Sequence, residues 1–124
     1  MANRFCLQIC IAALVALSSA SASAAPLGHW ARGDGNAKVR IEPCGPSLCA
    51  INTWIRDRSK GENVGDKLVM SVKPAGNGRL EGTAFDPQRD RSYGISITYS
   101  NDHMSTQGCL LKVLCKTVTW TRIP

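Results

Sequence analysis

Cysteine and histidine are the residues through which a small chain most often ligates metal or attacks an electrophile, and the 124 residues here include six of the first and two of the second. His29 and His103 lie far apart, and neither has a second ligand at helical or hairpin spacing, so both read as surface or rim side chains. Cys44, Cys49, Cys109 and Cys115 form two close pairs, C-x4-C and C-x5-C. Four thiolates could hold zinc, but zinc knuckles favour C-x2-C spacing and reducing compartments, and no metal site is expected. An even set of four in a chain bound for an oxidising compartment argues for disulfides. The local pairing, Cys44 with Cys49 and Cys109 with Cys115, is the first choice because each pair flanks a short turn. Loops this short stabilise less than long ones, and the cross pairing, Cys44 with Cys115 and Cys49 with Cys109, stays open.

Acid–base chemistry has equally little to work with. Asp86, Asp90 and Asp102 fall in turn-like contexts, where aspartate caps backbone amides. No Gly-x-Ser-x-Gly elbow, phosphate loop or cofactor motif appears, so neither an enzyme nor a cofactor is expected. The tripeptide Arg32-Gly33-Asp34 matches an adhesion motif, but a hairpin explains its glycine and aspartate without a partner.

The N-terminus argues for export. Residues 1–24 combine Arg4, an apolar stretch from Phe5 to Leu17 and small residues ending in Ala22-Ser23-Ala24, which reads as a secretory signal peptide cleaved after Ala24. The apolar stretch is too short for a membrane span and no second one follows. Cys10 imitates a lipoprotein anchor, yet it precedes most of the apolar run, with bulky Ile9 where a small residue is required. Cleavage removes Arg4, Cys6 and Cys10 and leaves residues 25–124 as a single domain, for a periplasmic or secreted destination. A domain of about 100 residues buries roughly 60–65% of its unfolded surface and gains from covalent staples.

The net charge of +6 is spread along the chain. Its densest cluster, Arg56 to Lys60, reads as a solvated loop and lacks the interleaved aromatics of a nucleic-acid site. Weak attraction to an anionic envelope component is the better use of this charge.

These residues must be held by short strands. Asp34-Gly35, Gly45-Pro46, Lys60 to Asn63, Gly76 to Gly78, Asp86-Pro87 and Asn101-Asp102 break the chain at short intervals, the pattern of an antiparallel all-β domain. Ala37, Val39 and Ile41 alternate with Lys38, Arg40 and Glu42, and Tyr93, Ile95, Ile97 and Tyr99 alternate with polar or small neighbours. Eight strands are expected near 28–33, 37–43, 49–56, 66–73, 79–86, 91–99, 103–109 and 115–123, although "KLVM" within Val64 to Val72 is too short for periodicity to assign. The economical fold is a small, disulfide-stapled up-and-down β-barrel, which removes exposed edges. An eight-stranded barrel is filled by side chains or holds one small ligand, with filling the default. Trp54, Phe85, Tyr93 and Trp120 are the candidate ligand contacts. Closure sets the first strand beside the last, so Trp30 of Gly28-His29-Trp30 meets Arg122 of "TWTR", a guanidinium over an indole plugging one end.

This Gly-x-Trp start and late arginine resemble the lipocalin-like, or calycin, superfamily, whose barrels often carry small apolar ligands. The segments "GHWARGDGNAKVRIEPCGPSLCAINTWI", "GRLEGTAFDPQRDRSY" and "GCLLKVLCKTVTWTRI" resemble, in order and spacing, the secreted bacterial family called domain of unknown function 2147. The chain departs from that family at Ala50, where glycine is usual, and in a shortened connection at Asp57 to Gly65. The resemblance implies the barrel and names no activity. A non-catalytic barrel binding a small apolar ligand or lipid is the expected function; the alternative is a filled barrel acting through its surface.

Overall fold

The computed structural model describes residues 12–14 and 25–124. The signal-peptide reading and its cleavage point fall on residues 1–24 and, apart from 12–14, lie outside the described residues. Among the described residues eight strands form: β1 (Gly28–Arg32), β2 (Ala37–Cys44), β3 (Ser47–Ile55), β4 (Lys67–Pro74), β5 (Arg79–Asp86), β6 (Arg91–Tyr99), β7 (His103–Leu110) and β8 (Leu114–Arg122). Each lies within two residues of the range expected from the sequence. The "KLVM" run is strand, with Met70 buried and Leu68 and Val72 packed on the core.

Each strand pairs antiparallel with the next, and β1 pairs with β8 to close the barrel. The alternation seen in the sequence sets the inner face: Val39, Ile41, Met70, Leu80, Ala84, Ile95, Ile97 and Met104 are buried around Trp30. Both disulfides are local, Cys44–Cys49 joining the β2–β3 turn and Cys109–Cys115 the β7–β8 turn. Among the described residues no helix is long and apolar enough to cross a membrane.

One irregularity redirects side chains. Between β2 and β3, Val39 pairs with Asn52 while Lys38 pairs with Trp54, which leaves Thr53 as an extra residue in a β-bulge. The Thr53 hydroxyl donates to the Lys38 carbonyl at 3.2 Å. A one-residue insertion reverses the inward and outward phase of everything beyond it. Ala50 and Asn52 face inward before the bulge, and beyond it Ile55 is buried while Trp54 is 41% exposed.

The up-and-down order puts the β1–β2, β3–β4, β5–β6 and β7–β8 connections at one end of the barrel. The N-terminal approach, the remaining turns and the C-terminus lie at the other.

Candidate binding cavity

The end bearing the C-terminus is shut by Trp30 and Arg122. Register places them opposite one another, and the Arg122 guanidinium lies 4.3 Å from the centroid of the indole. Trp30 is fully buried and its Nε1 donates to the Pro26 carbonyl at 3.0 Å. Arg122 Nη1 donates to the Leu27 carbonyl at 2.7 Å, and its Nε donates to the Asn101 carbonyl. Gly28 makes the stack fit: its φ is +110°, and a β-carbon there would lie 2.8 Å from Arg122 Nη1. Glycine two residues before the tryptophan is thus required both by backbone conformation and by space.

Above this floor the barrel is not filled. A cavity of about 410 Å³ opens toward the other end, near the lower part of the roughly 300–1,000 Å³ usual for ligand pockets. Its wall is apolar, built from Val39, Ile41, Leu68, Met70, Ile95 and Ile97. Trp120 and Tyr93 add aromatic surface. The Trp120 indole donates to the Thr106 hydroxyl at 3.0 Å, which fixes the ring from the neighbouring strand. Burial raises the Tyr93 phenol above its ordinary value of 10.0, and the ring packs over Gly108, where a β-carbon would come within 2.8 Å of it.

Charged residues surround the mouth in two knots. Arg32 holds both Glu62 oxygens, at 2.5 and 2.8 Å, and reaches Asp34 at 3.0 Å. Buried Asn36 donates to Glu62 at 2.9 Å and accepts from the Asp57 amide at 3.0 Å, pinning the β3–β4 connection across the mouth. In the second knot Arg89 donates to Asp86 at 2.8 Å and to the Gly61 carbonyl at 2.7 Å, with Asp66 at 3.9 Å. The Arg32 hydrogen bonds hold the Glu62 carboxyl below its ordinary value despite partial burial. Burial pushes Asp86 upward, but hydrogen bonds from Arg89 and Gln88 outweigh it and leave the carboxyl lowered. Each carboxylate lining the mouth is thus engaged by arginine, whereas Lys67, Arg91 and Lys116, which also line it, form no ion pair among the described residues.

Of the four aromatic side chains expected to contact a ligand, Tyr93 and Trp120 line the cavity and Trp54 and Phe85 do not. The bulge at Thr53 turns Trp54 outward, where Lys38 Nζ sits 5.0 Å from the ring centroid. Phe85 is 40% exposed because Leu80 and Ala84 set the inward phase of β5, and it pairs with Val69 on the outer face. His29 and His103 are both exposed. Asp86 accepts from the Gln88 and Arg89 amides, the turn-capping role read from the sequence. Arg32 of the Arg-Gly-Asp tripeptide is committed to Glu62, with its side chain 17% exposed, so the triplet is not displayed as a free loop. The Arg56 to Lys60 cluster contains a single 3-10 turn, Arg58–Lys60, capped by Asp57. Sequence reading missed the Arg32–Glu62 knot because its members are 30 positions apart and no periodicity links them.

The family model described as "Uncharacterized protein conserved in bacteria (DUF2147)" matches residues 28–122. No curated protein and no solved structure matches the chain.

Proposed function

Since the chain belongs to this bacterial family, whose description names no activity, we propose from its own geometry that it is a non-catalytic carrier of a small amphipathic molecule. The apolar part would lie in the barrel and an anionic or polar head at the mouth. The observation that carries this reading is the blind cavity: apolar walls above a floor sealed by Trp30 and Arg122, with Lys67, Arg91 and Lys116 at the opening and in no ion pair among the described residues. An apolar body gains by leaving water for such a wall, and the few polar groups at the rim orient its head. Lys67, Arg91 and Lys116 favour a negative head, while Tyr93 and Trp120 are the contacts nearest an aromatic or unsaturated chain.

Binding is preferred to catalysis because arginine hydrogen bonds hold the Glu62 and Asp86 carboxylates at the mouth as anions. An acid kept charged in this way accepts hydrogen bonds but has no proton to give at neutral pH. The two disulfides support work outside the cytoplasm, in a periplasm or after secretion.

The test is native mass spectrometry of protein taken from its own host, followed by calorimetric titration with a long-chain fatty acid. A reproducible extra mass lost on denaturation, and saturable binding that Trp120→Ala weakens, support the carrier. A bare protein mass together with no fatty-acid binding counts against it.

A further inference from the structure

At the open end the β7–β8 hairpin outruns both neighbours. β6 pairs with β7 no farther than Gly94 with Cys109, and the β1 side reaches β8 no farther than Gly33, whose amide donates to the Thr119 carbonyl at 2.7 Å. The arm therefore stands clear of the sheet, braced at its base by the Cys109–Cys115 disulfide. Its tip is apolar: Leu111 is 87% exposed, Val113 77% and Leu114 66%. Single exposed apolar residues are ordinary, but three on one projecting turn are not.

The turn that carries them is also costly. Leu111 and Lys112 have φ of 52° and 61°, and the Val113 amide bonds the Leu110 carbonyl at 3.2 Å. The loop has three residues, 111–113, and two consecutive positive φ values in a tight turn are normally met by Asn-Gly or Asp-Gly. A leucine in the left-handed region is strained, and here that strain holds it in solvent, where it gains nothing from the rest of the protein. Charge supplies the second observation. Lys112 lies at the tip and Lys116 just behind it, and the whole segment from 103 to 124 contains no aspartate or glutamate.

We propose that this arm docks the protein on a bilayer containing anionic phospholipid. Leu111, Val113 and Leu114 enter the boundary between headgroups and acyl chains, and Lys112 and Lys116 meet phosphates, the combination that binds interfacial segments. A second copy of the chain fits less well, since arm-to-arm pairing would bring these lysines together with no carboxylate between them. Leu110, Leu114 and Lys116 also line the mouth of the cavity, so docking sets the opening against the lipid. The inference rests on the exposed tip of the arm and does not require the cavity to be occupied, so the carrier reading and this one fail separately.

The test is co-sedimentation with phosphatidylcholine vesicles, with and without phosphatidylglycerol, using the chain expressed with residues 1–24 in place and recovered from its host. The informative variant is Leu111→Asn/Lys112→Gly/Val113→Thr, which gives the turn the residues its backbone prefers and so keeps the fold while removing apolar surface and charge. The wild type is expected to sediment with the phosphatidylglycerol vesicles, less so at high salt, and the variant to bind about tenfold or more weakly. Wild-type protein left in the supernatant with those vesicles overturns the proposal, as does a variant that sediments equally well. A dimer lost in the variant, with no vesicle binding by either protein, overturns it in favour of self-association.

Discussion

Replacing Arg122 by alanine tests the floor of the barrel. The substitution removes a guanidinium stacked 4.3 Å from the Trp30 ring centroid, an interaction of about 0.5–2 kcal/mol. It also removes hydrogen bonds to the carbonyls of Leu27 and Asn101, each about 1 kcal/mol net at a position that water reaches. The expected loss is about 2.5–4 kcal/mol, a large part of the roughly 5–15 kcal/mol available to a domain of this size. At about 4–8 °C per kcal/mol this lowers Tm by at least about 10 °C. Arg122→Lys keeps a charge but not the planar fork, so it recovers only part of the loss. The assay is urea denaturation of the wild type, Arg122→Ala, Trp30→Leu and the double variant. A coupling of about 0.5–2 kcal/mol is expected between the two sites. Additive single losses would show that Arg122 acts through its carbonyl partners alone, and the stacked plug would have to be abandoned.

Glu62→Gln is expected to cost about 1–2 kcal/mol near neutral pH, because it leaves Arg32 short of a charged partner. The Glu62 carboxyl is held below its ordinary value near 4.5, so the stability it contributes is present above that pH and is lost as pH falls through its lowered folded-state value. Thermal melts from neutral to acid pH check this: the variant profile is flatter in the acid limb, and parallel profiles refute the assignment. Gly108→Ala drives a β-carbon toward the Tyr93 ring, and a loss of about 1–3 kcal/mol with weaker ligand uptake is expected by melting and titration. Trp54→Ala, on the outer face, is expected to leave ligand binding within about twofold, whereas Trp120→Ala weakens it by about tenfold or more; equal effects in the titration would contradict the bulge geometry.

The fold was legible because its signals are local. The alternation in β2 and β6, the turn residues between strands and the short cysteine spacings each act over fewer than ten residues; the strand positions and the first-choice disulfide pairing follow from them, and the Trp30–Arg122 meeting follows from closing the strands into a barrel. The lining of the cavity was only half legible. Tyr93 shares the phase of Ile95 and Ile97, so its inward direction can be read directly. Phe85 could have been placed outward from Leu80 and Ala84, since it is out of phase with both, but the size of an aromatic ring invited an interior assignment. Trp54 could not be placed, because the single extra residue at Thr53 leaves no mark in the hydrophobic pattern. The mouth was the least legible part. Arg32, Asn36 and Glu62 meet through a folded connection, and nothing in their own neighbourhoods announces one another. The apolar run "LLKVL" between two cysteines was not singled out, because its exposure follows only from the neighbouring strands stopping short.

The seam between β1 and β8 governs the order of events during folding. It consists of three residue pairs, Trp30 with Arg122, Ala31 with Thr121 and Arg32 with Trp120, and it joins the two ends of the domain. Every other ladder links consecutive strands and can assemble as the chain lengthens, so the late, long-range closure carries the largest loop entropy. Until the final strand is in place, β1 and β8 are open edges on which a neighbouring chain can template. Once it arrives, Arg122 settles over Trp30 and both edges disappear in the same step. The shortest ladder in the molecule therefore acts as a latch, separating an association-prone interval in the life of the chain from the edgeless barrel that follows.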